Sequence, residues 1–272
     1  KSNQIRYIKG VKKSIDHAYI KLMKEAKGNY VWWFGDDIFY DNTISKVLEI
    51  IKKKPDFVWL NSYGSEKTKN YGMDCELNAS DVIYKIGDLI TYLSALLWKK
   101  SYIYPYLDVG EKFFGNAIGF CYPQIEALSK EGKFLYIDDT IFKNEVNRDF
   151  TKLWYDPFEV FAVNYFNLLE FFNSKQNLQI ALRKEKRRRG RQILKGVLHY
   201  YYKLQYYGLG KTNLKKLYKV YKTWPFFWLL LPLTCILYLR HKIYLLNKIK
   251  STAYLNKNLI LTEKKYINNN VF

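Results

Sequence analysis

The sequence is poor in the residues that build metal and disulfide frameworks. Its 272 residues include three cysteines and three histidines. Cys75, Cys121 and Cys235 stand far apart with no CxxC pair, which excludes a zinc-ribbon or disulfide scaffold and fits free thiols in a reducing compartment. His17, His199 and His241 have no partner at metal-ligand spacing, so each reads as a structural or solvated side chain. Long apolar runs are missing too. The most apolar stretch, the sixteen residues Trp224–Leu239, is shorter than the ~20 needed to span a bilayer, and Pro225 and Pro232 interrupt it. The polar, basic start Lys1-Ser2-Asn3 shows neither a signal-peptide core nor an initiator Met, so further sequence upstream is expected. No internal repeat is visible. Acidic residues are scarce in one part only: residues 1–150 carry a net charge of about +2, and residues 151–272 about +18 of the total of +20. Different jobs are expected of the two parts.

Aromatic residues make up 18% and charged residues 26%, the composition of a globular chain. Val11, Ile15, Ala18, Tyr19, Leu22, Met23 and Ala26 recur at spacings of three and four, which predicts a helix over 10–27 that stops at Gly28. Tyr30–Phe34 is aromatic and β-branched on both faces, as in a strand buried inside an α/β sheet. Asp41-Asn42-Thr43 opens a second helix ending before Pro55, and Phe57–Asn61 reads as the next strand. The order helix, strand, helix, strand predicts a parallel α/β sheet. Residues 62–80 read as a loop, Asp81–Ile90 is ambiguous, Tyr92–Trp98 is strand-like and Ser101–Phe114 irregular. Pro123–Lys130 opens as a helix. Gly132–Ile137 reads as a turn and a short final strand, followed by Asp138-Asp139. From Asp156 the pattern is helical.

The strand Tyr30–Phe34 ends in Gly35-Asp36-Asp37. Ligands of open α/β sheets bind outside the carboxyl ends of the strands, where two acids suit a hard cation such as Mg²⁺ or Mn²⁺ and, through it, a phosphate-bearing ligand. An Asp pair after a strand is also a common solvated turn or helix cap, and the dipeptide alone leaves both readings open.

Several pieces in order resemble one family. Asp16-His-Ala-Tyr-Ile-Lys21, Ala26-Lys-Gly28 and Tyr30-Val-Trp-Trp-Phe-Gly-Asp-Asp37 look like the family-2 glycosyltransferases, above all the O-antigen sugar transferases of the abequosyltransferase type. Phe57–Asn61, Leu93-Ser94 before Trp98-Lys99-Lys100, and Tyr122–Leu128 with Gly132–Ile137 resemble later pieces of the same domain. The resemblance covers about residues 5–140. It implies a GT-A fold, an α/β sandwich with a nucleotide-sugar pocket at the carboxyl edge of its sheet, lacking here its first strands. It also implies that Asp37 is the metal ligand, and that Asp36 contacts the donor or helps hold Mg²⁺ or Mn²⁺. Ile38 replaces the third Asp of the usual triplet. Many relatives place a Glu-Asp pair near the position of Phe120-Cys121-Tyr122, which has no carboxylate. Asp108, Glu111 and Glu126 are the substitutes nearby for a catalytic base, and Glu126 reads equally as a surface residue of a helix. The activity implied is inverting transfer of a sugar from a nucleotide-sugar donor to a lipid-linked or surface-polysaccharide acceptor.

Two parts are thus expected: a partial GT-A catalytic domain over 1–150, and a helical, basic region over 151–272. In the second, Trp224–Leu239 reads either as an interfacial segment anchored by Trp224, Trp228 and Tyr238 or as a core helix. With the Lys/Arg excess, the first choice implies an anionic membrane surface as partner and a peripheral enzyme at the cytoplasmic face. The run Arg183–Arg191 among tyrosines also suits a nucleic-acid surface. The near-neutral first part, built around an acidic edge, argues against that reading.

Overall fold

The computed structural model describes residues 14–63, 74–143, 159–206 and 214–225, with residues 227, 228, 232, 236 and 243 beyond them; for 193–206 and 214–217 it describes the backbone alone. Several expectations fall outside the described residues: most of the 62–80 loop, the side chains of the apolar ladder from Leu194 to Leu217, His199, His241, Cys235 and the tail from 256.

Helix α1 (Ile15–Glu25) begins where the Ser14 hydroxyl accepts a 3.3 Å bond from the His17 amide, a cap worth ~1 kcal/mol. It buries Tyr19 and Met23 of the predicted face together with Ile20, which that face did not include, and leaves Leu22 exposed. The chain then turns into β1 (Tyr30–Trp32), crosses residues 33–37, and forms β2 (Ile38–Phe39) and α2 (Thr43–Lys52). Strand β3 (Phe57–Tyr63) follows, then β4 (Cys75–Leu77). The ambiguous segment is helix α3 (Ala79–Ile86), capped by Asn78, whose side chain accepts a 2.8 Å bond from the Asp81 amide. Of the predicted strand Tyr92–Trp98 only the end is extended, as β5 (Leu96–Lys99); Leu93–Ala95 is a 3₁₀ turn. The stretch expected to be irregular holds α4 (Lys100–Ile103) and α5 (Leu107–Glu111), and α6 (Cys121–Leu128) carries Pro123 in its first turn. Strand β6 (Phe134–Lys143) runs on through Asp138-Asp139 rather than stopping before them. The second part is helical as expected: a π-helical turn over Glu159–Asn164, α7 (Tyr165–Phe171), α8 (Gln179–Tyr206) and α9 (Leu214–Tyr221).

The fold is mixed α/β. The sheet order is β1-β5-β3-β6-β2, with β4 also against β6. The expected all-parallel sheet is corrected: β3 and β6 are parallel, while β5 is antiparallel to both β1 and β3, and β2 and β4 are antiparallel to β6. Strand β1 is not buried inside the sheet either. Its residues are half-exposed, and among the described residues only β5 pairs with it. The interior positions belong to β3, β5 and β6, whose Phe57, Val58, Trp59, Trp98 and Phe134 are buried, with Phe57 and Trp98 rings 4.5 Å apart.

Strands β1 and β2 stand at opposite ends of this order, yet residues 33–37 alone join them. Four strand spacings of ~4.8 Å nearly exhaust what so short a link can span. A flat sheet would stretch it taut; instead the sheet curls. Trp32 lies 5.2 Å from Phe39, and Phe34 lies 5.3 Å from Phe142, so rings of β1, β2 and β6 meet over one end. The core continues past residue 150, since Tyr165, Leu168, Leu169, Phe172 and Leu178 join the same buried cluster as the sheet. The change at residue 150 is one of composition and charge, and apolar packing runs across it.

Candidate functional site

Asp36 and Asp37 lie on the link that closes the curled sheet. The link is clamped at two points: the Gly35 amide donates to the Ser94 hydroxyl at 3.2 Å, and the Trp32 indole donates to the Ser94 carbonyl at 2.7 Å. Trp33 packs on Tyr19 of α1 with rings 5.5 Å apart. Asp37 is buried and Asp36 is exposed. The third place of the acidic triplet, Ile38, starts β2 and pairs with Lys143. Ser94 carries chemistry the sequence only hinted at, since its neighbours Leu93 and Trp98 read as strand.

A second segment runs along α1. Starting near the last turn of α1, residues 108–117 run back toward its first turn. Asp108 and Glu111 both accept from Lys24 at 2.6 Å, and Asp16 accepts from the amides of Gly115 and Ala117 at 3.1 Å each. Since α1 leads from its last turn straight into the start of β1, the Lys24 knot sits where β1 begins. Asp16 and the amides that bind it lie toward the other end of α1 from that knot. Ala117 holds a left-handed backbone, φ 65°, secured by the bond to Asp16. Asp16 is fully buried; burial pushes its carboxyl above the usual range, opposed by the amides around it.

The three carboxylates offered as catalytic bases are each paired with a lysine. Asp108 and Glu111 accept from Lys24 in the last turn of α1 and hold its ammonium above the ordinary range. Glu126 faces the helical layer, where Lys175 binds it at 2.7 Å with Lys130 at 3.7 Å.

The helical part meets the α/β part through a buried ionic cluster. Arg188 binds Glu185 with two nitrogens, at 2.6 and 2.8 Å, and Asp88 at 2.8 Å; Arg189 binds the other Asp88 oxygen at 2.8 Å. The Tyr165 hydroxyl donates to Glu185 at 3.2 Å. Glu185 is fully buried, and burial raises its pKa while Arg188 pulls it back. Gly87, φ 54°, admits this cluster: a β-carbon there would lie 2.6 Å from Arg188 and 2.7 Å from Glu185. One helical turn on, a β-carbon at Gly190 would lie 2.2 Å from the Trp224 ring. Two charges of the Arg183–Arg191 run thus face inward, which corrects the reading of the whole run as an open basic surface. In sequence, the i, i+3, i+4 spacing of Glu185, Arg188 and Arg189 was the available signal.

Among the described residues no group of three His, Cys, Asp or Glu side chains is placed to cage a metal. Two adjacent carboxylates, one buried and one exposed, fit a different mode: Mg²⁺ is commonly held by one or two carboxylates, its remaining places filled by phosphate oxygens and water. The residues present suit a cation that arrives with a diphosphate, and not an all-protein cage. Among the described residues no helix is long and apolar enough to cross a membrane. Trp224 packs on Phe166 and Tyr221 at 5.7 and 6.0 Å and Phe227 is buried, while Trp228 and Ile236 are exposed, so the Trp224–Leu239 stretch contributes to both core and surface. No known protein-family model matches the chain, and no curated protein matches it.

Proposed function

We propose that the chain is an inverting glycosyltransferase of GT-A type that moves a sugar from a nucleotide-sugar donor to a lipid-linked or surface-polysaccharide acceptor. One observation carries this reading: two carboxylates lie on the link that leaves the carboxyl end of β1 and crosses the curled sheet, where a diphosphate would sit. Asp37, buried and backed by the clamp to Ser94, would hold Mg²⁺ or Mn²⁺, with exposed Asp36 facing the donor. The bound cation supplies positive charge against that building on the departing nucleoside diphosphate. Inversion in one displacement also needs a carboxylate to take the acceptor hydroxyl's proton. Asp108, Glu111 and Glu126 are the carboxylates the sequence offers for it, each paired with a lysine in this structure. In the full chain, Asp37→Ala should abolish Mn²⁺-dependent binding of UDP, read by calorimetry, with the circular dichroism spectrum unchanged. Equal binding by the variant would end the assignment.

The acceptor places the enzyme peripherally at the cytoplasmic face of the plasma membrane, and the charge of about +18 past residue 150 with exposed Trp228 supports this. Vesicles containing phosphatidylglycerol should sediment the protein, and rising salt should weaken the binding without removing it, because apolar insertion is not screened. Complete loss at moderate salt would refute insertion. Inward-facing Arg188 and Arg189 leave the nucleic-acid alternative less well supported.

A further inference from the structure

At the end of the sheet opposite the acid pair lies an open cleft of about 570 Å³. Three connections meet there: 27–30 entering β1, Lys54 before β3, and 99–105 leaving β5. Four lysines line it, Lys27, Lys54, Lys99 and Lys100, with the rings of Tyr30 and Tyr104, and no carboxylate is among the lining residues. The nearest acid, Asp56, is already engaged. One of its oxygens binds Lys99 at 2.9 Å and the other accepts the Lys133 amide at 3.0 Å. Lys100 donates to the Ala26 carbonyl and lies 5.2 Å over the Tyr104 ring, which fixes its ammonium in the wall. Lys27 and Lys54 have no ion pair among the described residues, and both are exposed. Lys54 holds a left-handed backbone, φ 53°, as the residue that closes α2 ahead of Pro55, its amide donating to the Ile51 carbonyl at 2.9 Å.

We propose that this cleft is a binding site for a phosphate ester, distinct from the acid pair. Four ammonium groups converge here against one carboxylate that is already engaged, and an anion entering the cleft would relieve their mutual repulsion. Lysine suits phosphate as a point charge. The volume lies within the ~300–1,000 Å³ typical of small-molecule sites and exceeds a bare phosphate, so the ester's organic part lies against Tyr30 and Tyr104. Such a group is carried by a lipid headgroup or by a free sugar or glycerol phosphate. The recognition chemistry is the same for both.

Amine-reactive footprinting of the full chain reads this cleft directly. Glycerol 1-phosphate in solution, or vesicles of phosphatidylcholine with phosphatidylglycerol, should protect Lys27, Lys54, Lys99 and Lys100 relative to exposed Lys21 on α1. Protection by the free ester identifies a soluble ligand, and protection by the vesicles alone identifies a headgroup. K27E/K54E should weaken the protection of Lys99 and Lys100 by at least about tenfold, from about 1 kcal/mol for each basic residue. K54G, which suits the backbone at that position, should weaken it less and leave the fold intact. No selective protection by either probe, or undiminished protection in K27E/K54E, overturns the proposal. Asp37→Ala should leave the protection unchanged, so a failure of the catalytic reading and a failure here are told apart.

Discussion

The two ends of the sheet differ in how their charges are held. Away from the start of β1, acids gather: Asp36 and Asp37 on the link, Asp16 under the 115–120 loop, Asp88 and Glu185 in the ionic cluster. Apart from exposed Asp36, each of these is buried. Where β1 begins, lysines gather, and their side chains remain accessible or half-accessible. Burial explains the asymmetry in the surroundings. An ionised group taken from water needs fixed partners, and the acid end supplies amides, a hydroxyl and two guanidiniums. At the lysine end solvent screens the charges, and their partners are few and mostly exposed: Asp56, the Ala26 carbonyl, and Asp108 with Glu111 on Lys24. Perturbing the acid end should therefore cost more stability than perturbing the lysine end.

The largest effect is expected in the ionic cluster. Arg188→Leu leaves Glu185 fully buried with its main partner gone and should destabilise the protein by about 3–5 kcal/mol in urea unfolding. The cluster also joins the helical part to Asp88, in the 3₁₀ turn Gly87–Thr91 that follows α3, so the loss should appear as one cooperative transition moved to lower denaturant. A change below about 1 kcal/mol would show that the cluster is wet and that the two ends do not differ.

Asp16 comes next. Asp16→Ala orphans the Gly115 and Ala117 amides and should cost about 2–3 kcal/mol. The pH dependence has a definite sign. Burial raises the folded-state pKa above the ordinary aspartate value of 3.8, so the folded protein keeps this proton to higher pH than the unfolded chain does. The contribution of Asp16 to stability therefore falls as pH rises from near 3.8 through the raised value, and is level above it. Asp16→Asn cannot ionise and should remove that slope from the difference between variant and wild type. A slope that persists would place the titration elsewhere.

Much of this end was legible in the sequence, and the illegible remainder has identifiable physical causes. Helical period found α1 and α2, and strand composition beside Gly35 found the acid pair. Composition does not encode direction: Leu96–Lys99, four residues buried for most of their length, reads alike in a parallel or antiparallel place, so the mixed sheet stayed hidden. Nor does it encode the curl, which arises from a link too short to let β1 and β2 stand apart. Arg188 and Arg189 read as surface because their partner Asp88 is 100 residues away. Distance along the chain singles out Asp108 and Glu111, and it does not reveal that residues 108–117 run the length of α1 and tie both carboxylates to Lys24.

The smallest effect is expected at those two residues. The side chain of Asp108 is 81% exposed and that of Glu111 44% exposed, and both contact Lys24 at 2.6 Å. Short contacts alone would suggest strength, but water screens the pair and two long side chains must be ordered to make it. The double variant Asp108→Asn, Glu111→Gln keeps the shape of both side chains and removes both charges. It should shift the urea midpoint by no more than about 1 kcal/mol equivalent and leave Mn²⁺-dependent UDP binding and any measured transfer as in wild type. Lys24 should lose the upward shift that the two carboxylates cause, which NMR titration of its ammonium would detect. A drop in transfer of a hundredfold or more with the fold intact would mean that a carboxylate at the lysine end takes part in the chemistry, and the functional division between the two ends would fall with it.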